Sequence, residues 1–228
     1  MMLGFSDGTK DGGYFKANWS IFKTKEALTA VCREHDISAI FFDGRGGPPA
    51  RGGGKSHQFY AAQTREIANH EIQLTIQGQT ISSKYGTQTH FNHNMEQLLT
   101  AGLSNKMFQD SNTIHDKSRQ VIEDLAKIRL EKYSALKNHE MFIPYLENKS
   151  TLKYYGRANI GSRPAKRGQK QKLNLEDLRA ISFVGSWSQL KQNVPGYFGI
   201  GTALKTIKDK GKLEELQRLF REVPFFKA

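Results

Sequence analysis

Residues Phe41–Ser56 read FFDGRGGPPARGGGKS, and this stretch decides how the rest of the chain is read. In front of it lies an apolar run, Ile37, Ala39, Ile40, Phe41 and Phe42, which ends on the carboxylate of Asp43. A short apolar run closed by turn residues reads as a buried strand. Behind Asp43, six glycines between Gly44 and Gly54 strip the backbone of side chains. Glycine accepts positive φ and lets a ligand approach the main chain closely. Pro48 and Pro49 stiffen the middle of the stretch. Arg45 and Arg51 are its only long side chains before Lys55. A helical pattern follows over Ser56–Asn69, with Phe59, Tyr60, Ala62, Gln63 and Ile67. Bare N–H groups, two guanidinium forks and a helix start together predict an oxyanion or phosphate pocket at the C-terminal end of a buried strand.

The same residues admit other readings. Gly54-Lys55-Ser56 is the end of a P-loop pattern, but that pattern needs a glycine at position 49, which is proline. RNA-binding RGG tails are repetitive and disordered, whereas this segment makes two turns between a strand and a helix. A glycine-rich surface loop with solvated arginines is the bland alternative.

Working outward, the strand at 37–42 has neighbours of its own kind. Met1–Phe5 reads as a short strand that runs into the loop SDGTKDGG, where Asp7, Lys10 and Asp11 sit among Gly4, Gly8, Gly12 and Gly13. A carboxylate and an ammonium on such a loop could hold a metal ion and an anion together. They could equally form a polar turn in which Asp7 or Thr9 caps the next helix. A strand that begins at residue 1 reads as part of something longer. Tyr14–His35 is helical, with Phe15, Trp19, Phe22, Leu28 and Val31 roughly on one face. Ile72, Leu74 and Ile76 alternate as a third strand that ends at Gln77-Gly78. Strand, helix, strand, helix, strand is the order of parallel βα units, whose loops gather at one face around the ligand. The expected class is therefore helix-rich α/β with a parallel sheet.

Farther along, Gln88–Met107 and Asn112–Lys137 read as helices, the second with Ile114, Val121, Leu125, Ile128 and Leu136. His90 and His93 have a spacing that suits a metal pair, but no third ligand is near, so they read as ordinary polar positions. Phe142–Leu146 is short and apolar. Arg163, Lys166 and Arg167 follow a glycine turn, and Lys170 and Lys172 extend the run as solvated charges. Leu178–Gly185, LRAISFVG, reads as a further strand with Arg179 at its start, and Pro195–Lys208 and Gly211–Arg221 as terminal helices.

Composition bounds the function. The 228 residues are 37% hydrophobic and include 21 glycines, enough for a packed core. A net charge of +12, from 34 basic and 22 acidic residues, suits an anionic ligand and would also suit nucleic acid. The one cysteine, Cys32, excludes an intrachain disulfide and reads as a core residue in a helix. No apolar run approaches the ~18 residues of a membrane span, and no signal peptide precedes the first motif. The expectation is a soluble, cytoplasmic chain.

Four separated segments together resemble the phosphoenolpyruvate carboxylase family. Its GYSDSxKDxG is GFSDGTKDGG here, and its FHGRGGxxGRGGG is FFDGRGGPPARGGG. Its VTxQGExI is LTIQGQTI, and its GSRPxKR and SLRAIPWxFxWxQ are GSRPAKR and DLRAISFVGSWSQ. The order matches, and the final VPFF is similar to the family's WPFF. The resemblance implies a single segment, 1–228, of a (β/α)8-type barrel with extra helices, lacking the family's upstream catalytic histidine and second acidic metal ligand. It implies carboxylation of phosphoenolpyruvate by bicarbonate to oxaloacetate and phosphate, which feeds the tricarboxylic acid cycle. Bicarbonate attacks the phosphoryl group, carboxyphosphate and the enolate of pyruvate form, and the enolate captures the released carbon dioxide. The implied partners are phosphoenolpyruvate and bicarbonate, with no nucleic acid and no membrane, in a homo-oligomer, a tetramer by family resemblance. Carried over by motif, Asp7 would bind Mg²⁺ or Mn²⁺, and Lys10 would bind bicarbonate or substrate charge. Arg45 and Arg179 would bind phosphoenolpyruvate beside Gly46 and Gly47, and Arg163 would help hold anionic groups. Arg51 would stabilise the transferring phosphoryl group. The alternative is a non-catalytic phosphate- or nucleic-acid-binding module built on the basic loops.

The sequence departs from the family at four places. Asp43 stands where the family has histidine, putting a carboxylate beside Arg45 where it would neutralise that arginine or alter proton handling. Gln79 and Ser182 replace a glutamate and a proline, and Pro48-Pro49-Ala50 stiffens a loop that the family moves.

Overall fold

The apolar run before Arg45 becomes the middle strand of a parallel sheet. A computed structural model of the chain describes residues 1–68, 70–76, 78–107, 113–155 and 174–227. Strand β1 (Met2–Leu3), β2 (Phe41–Gly46) and β3 (Ile72–Ile76) lie side by side in that order, all parallel. Met2 pairs with Phe42 and Leu3 with Asp43, while Phe41, Phe42 and Asp43 pair with Ile72, Gln73 and Leu74. The register slips by a bulge between Asp43 and Gly46, which pairs with Ile76. The expected parallel βα order is therefore present as a three-stranded sheet, and the class is helix-rich α/β.

The connections are helical. Between β1 and β2 run α1 (Phe5–Gly12) and α2 (Tyr14–Glu34). Between β2 and β3 come a 3-10 turn (Pro49–Arg51) and α3 (Ser56–Ala61). After β3 follow α4 (Gln79–Tyr85), α5 (Gln88–Met107), α6 (Asp116–Lys137), α7 (Phe142–Lys149) and α8 (Leu152–Tyr155). Past residue 173 lie α9 (Ala180–Gln189), α10 (Val194–Tyr197), α11 (Ile200–Asp209), α12 (Leu213–Glu222) and α13 (Pro224–Lys227).

One core joins the sheet to α2, α6, α11 and α12. Trp19, Phe22, Phe41, Ile122, Leu125, Ile207 and Leu219 are all buried in it. Removal of such side chains from water, at about 25 cal/mol per Å² of apolar surface, is the main stabilising term. Phe15, Leu28 and Cys32 pack against this core, as the helical pattern predicts, but Val31 is exposed. A second cluster holds Ala50, Phe142, Leu146, Leu178, Phe183 and Trp187, and a third holds Phe5, Phe59, Tyr60 and Ala101.

Several sequence expectations are corrected. SDGTKDGG is helix α1, not a loop: Phe5 and Thr9 are fully buried, and that packing outweighs the poor helix propensity of its glycines. The N-cap of the following helix, α2, is Gly13, not Asp7 or Thr9. LRAISFVG is not a strand. Leu178 makes an isolated bridge and the rest is α9, whose Ala180, Phe183, Val184 and Trp187 are buried at helical spacing. Strand β2 starts at Phe41, so Arg45 lies on the strand itself rather than in the loop. Helix α3 stops at Ala61, and the helix expected over Pro195–Lys208 is broken at Phe198-Gly199 into α10 and α11. Gln77 and the basic stretch with Arg163, Lys166, Arg167, Lys170 and Lys172 lie outside the described residues.

Helix α1 is fixed at its end by one buried guanidinium. Arg129 of α6 has no exposed surface. Its Nη1 donates to the carbonyl of Gly12 (2.9 Å), and its Nη2 to those of Pro195 (2.7 Å) and Gly196 (3.1 Å). Gly13 has φ +75°, and a Cβ there would fall on the Arg129 guanidinium, so this corner accepts glycine alone. Burial without a counter-ion lowers the Arg129 pKa to about 10. Arg129→Lys is expected to cost about 2 kcal/mol, because one ammonium cannot reach three carbonyls set by a planar fork. Chemical denaturation of the two proteins measures it.

Candidate functional site

Strand β2 points alternate side chains to one face, so Phe41, Asp43 and Arg45 form a row. All three are buried, Arg45 with 1% of its surface exposed. Its guanidinium lies over the Phe59 ring, 4.1 Å from Cζ to the centroid. The Tyr14 hydroxyl at the start of α2 stands near it, both beside Gly54. Arg45 Nε and Nη1 are buried with no hydrogen-bond partner. Burial lowers its pKa, opposed by Tyr14 and Tyr60 and least by Asp43. A guanidinium remains charged in a protein even so.

Asp43 does not neutralise Arg45. Its Oδ2 accepts from Lys25 Nζ (2.7 Å) and from the Tyr60 hydroxyl (2.9 Å), and its Oδ1 has no partner. Lys25 and Asp43 are both almost wholly buried. Burial pulls the Lys25 pKa down, and Asp43 opposes it. Burial pushes the Tyr60 hydroxyl pKa far up, so Tyr60 stays a neutral donor.

Beyond Tyr14 opens a cavity of about 810 Å³, walled by Gly47, Pro48, Gly54, Lys55, Thr80, Lys84, Gly196 and Tyr197 among others. Gly54 forms the wall next to Arg45. A Cβ there would sit 3.6 Å from Arg45 Nη2 and 3.7 Å from the Tyr14 hydroxyl. Lys84 Nζ donates to the Gly54 carbonyl at 3.1 Å, and burial, with the charge of Arg45, lowers its pKa. A smaller cavity of about 80 Å³ touches Arg45, Tyr14 and Phe59 on the inner side.

The other expected residues sit on neighbouring elements. Helix α1, the 3-10 turn and α9 contact one another. Asp7 is exposed on α1, and its charge acts on the half-buried Arg51. Ser6 Oγ donates to the Arg51 carbonyl at 3.1 Å. Arg179 precedes α9, next to Leu178, which shares a cluster with Ala50 of the turn. Its Nε is buried and unpartnered. Lys10 lies on the α6 side: Tyr133 donates to its carbonyl, and its ammonium is 3.5 Å from Asp11. The elements that carry Asp7, Arg51 and Arg179 thus meet at one corner, Arg45 lies behind Tyr14 and Gly54, and the Lys10 carbonyl is held by α6. Gly47 walls the cavity with its backbone, whereas Gly46 is pressed on β3, where a Cβ would be 1.4 Å from the Thr75 carbonyl oxygen. Arg163 lies outside the described residues.

Among the described residues no three histidine, cysteine or acidic side chains gather as a metal cluster, and His90 and His93 are exposed. Asp7 is a single exposed carboxylate under the field of Arg51, so the described residues do not by themselves fit Mg²⁺ or Mn²⁺. Helix α3 has only 6 residues, so its start adds little to the positive charge that Arg45, Lys55 and Lys84 bring to this region. Sequence reasoning missed Tyr14, Lys25, Phe59 and Lys84 around Arg45, which reach the site through the packing of α2, α3 and α4.

A buried guanidinium on a parallel strand, set behind the wall of a cavity that lysines line, belongs to a helix-rich α/β protein with positive charge gathered at one site. The comparison with known sequences narrows this. The family model of phosphoenolpyruvate carboxylase matches residues 1–228. A phosphoenolpyruvate carboxylase of Corynebacterium glutamicum is 39% identical over 233 residues, 99% of this chain and 25% of its own length. That of Corynebacterium efficiens is 38% identical over 99% of this chain and 25% of its own. That of Corynebacterium diphtheriae is 37% identical over 100% and 26%. The chain belongs to the phosphoenolpyruvate carboxylase family, and it spans about a quarter of the length of these curated relatives.

Proposed function

We propose that these residues form one segment of the catalytic barrel of a phosphoenolpyruvate carboxylase, a carboxy-lyase that converts phosphoenolpyruvate and bicarbonate to oxaloacetate and phosphate. The observation that carries this reading is Arg45, buried, with two nitrogens unpartnered beside a cavity. An unsatisfied buried guanidinium is costly, and a phosphate or carboxylate satisfies it with paired charge-assisted hydrogen bonds. Family membership supplies the reaction.

In this reading Arg45 and Arg179 hold phosphoenolpyruvate, with Arg163 and the backbone at Gly46 and Gly47 beside them. Arg51 stabilises the phosphoryl group as bicarbonate attacks phosphorus and the bond to the enol oxygen breaks. Lys10 attracts bicarbonate, and Lys84 adds positive charge at the cavity wall. The enolate and carboxyphosphate so formed both carry negative charge, which preorganised cations stabilise in a site shielded from water. Carbon dioxide leaves carboxyphosphate as phosphate forms, and the enolate carbon bonds to it, giving oxaloacetate. A divalent cation, Mg²⁺ or Mn²⁺, belongs to the reading with Asp7 as one ligand, and none of these steps is assigned to it here. The three parallel strands are read as part of a (β/α)8-type barrel, in a cytoplasmic homo-oligomer, a tetramer. No helix among the described residues is long and apolar enough to cross a membrane.

The expected result for the 228-residue chain by itself is no bicarbonate-dependent oxaloacetate formation with Mg²⁺. Grafted in place of the matching quarter of the Corynebacterium glutamicum relative, it is expected to support that reaction. Turnover by the chain alone would contradict the segment reading. A folded chimaera with no turnover would contradict the assignment.

A further inference from the structure

Two buried cations and one buried carboxylate share a small space beneath the cavity. Lys25 comes from the middle of α2, and Asp43 and Arg45 from the same face of β2. Lys25 Nζ is 2.7 Å from Asp43 Oδ2, and both side chains are at most 2% exposed. Three rings, of Phe41, Phe59 and Tyr60, surround the ammonium at 5.0, 5.3 and 5.8 Å. Phe59 also carries the Arg45 guanidinium, so one ring contacts both cations.

Charge arithmetic shows what this arrangement does. Asp43 and Arg45 are two residues apart on one strand face, a natural ion pair. Had they paired, the guanidinium would be neutralised and turned away from a ligand. Instead Asp43 Oδ2 is occupied by Lys25 and Tyr60, and Arg45 keeps two nitrogens open. The cluster carries one net positive charge, and it resides on Arg45.

We propose that Lys25 is a positioning residue for Arg45: by binding Asp43 it keeps that carboxylate from capturing the arginine and leaves the guanidinium open for a phosphate or carboxylate ligand. This rests on the anion-site reading of Arg45. Lys25 touches no ligand and acts through Asp43. Without Lys25, Asp43 keeps only the neutral Tyr60 hydroxyl as a donor and has no counter-ion, and Arg45 on the same strand face is a cation it can turn to.

The test is a calorimetric titration of the 228-residue chain with inorganic phosphate, with thermal melting in parallel. Lys25→Met is expected to weaken phosphate binding by on the order of tenfold or more, the value of a charge-assisted hydrogen bond lost to an internal competitor. Lys25→Met combined with Asp43→Asn removes the competitor too and is expected to restore the parent's affinity. Replacing both members of a buried pair is tolerated far better than removing one, so this double variant remains informative if the single one fails to fold. Asp43→Asn alone is expected to bind phosphate at least as tightly as the parent, while melting lower. Unchanged affinity in Lys25→Met overturns the inference, and so does a folded double variant that binds as weakly as the single one. A parent that does not bind phosphate, or one in which Arg45→Lys leaves binding unaltered, overturns the anion-site reading itself and the inference with it.

Discussion

Arg45→Lys is expected to lower oxaloacetate formation by on the order of 10²- to 10³-fold although the charge is kept. A lysine offers a point charge on a flexible stem, whereas the guanidinium offers parallel donors in one plane. Here the plane is set, because the fork lies 4.1 Å over the Phe59 ring. Lysine would lose that stacking and the paired geometry together. Steady-state kinetics in the chimaeric enzyme give the number. Lys205→Ala is the control, because Lys205 is an exposed residue paired with Asp209 along α11 and such pairs contribute little. Equal losses in the two variants, together with tight and steeply salt-dependent nucleic-acid binding, would overturn the assignment in favour of a nucleic-acid module.

Gly46→Ala is expected to prevent normal folding or to cost at least 3 kcal/mol, the upper end of the usual overpacking range. The next backbone passes so close that an added Cβ would lie inside the Thr75 carbonyl. Neither side can yield easily, since Gly46 and Ile76 are paired in the sheet and the bulge before them has already used the local slack. The alanine would push β2 from β3 one residue after Arg45. Circular dichroism and melting of Gly46→Ala test this, and a variant that melts like the parent would refute it.

What the sequence made legible was what local pattern controls. Alternation and turn chemistry identified three parallel strands, and the 3.6-residue period placed α5 at its observed bounds and the end of α6 at Lys137. Arg45 was legible because it follows an apolar run and precedes bare glycine. Helix α1 was not, because glycines next to Asp7 and Lys10 favour a turn locally. Its helix depends on Phe5 and Thr9 being buried and on Arg129 far along the chain. LRAISFVG was misread because a short apolar run looks the same in a buried helix as in a strand. In α9 its Gly185 sits under the Tyr155 ring, with room for no side chain. Lys25 stands out by no pattern in the sequence, and only the packing of α2 against β2 makes it a partner of Asp43. The expectation that Asp43 neutralises Arg45 fails for the same reason, because Lys25 and Tyr60 take its oxygen.

The Arg129 corner also constrains the order in which the molecule assembles. A single side chain ties residue 12, 117 positions upstream, to residues 195 and 196, 66 and 67 positions downstream. Contacts of such wide separation form only after much loop entropy has been lost, and they slow the search for the native state. Helices α2 and α6 can dock early through Trp19 and Ile122, but the end of α1 is not held until a segment near the other terminus arrives. The corner carrying Asp7 and Arg51 is therefore a late-forming part of the fold. Its amides should be among the first to exchange when the native protein opens locally.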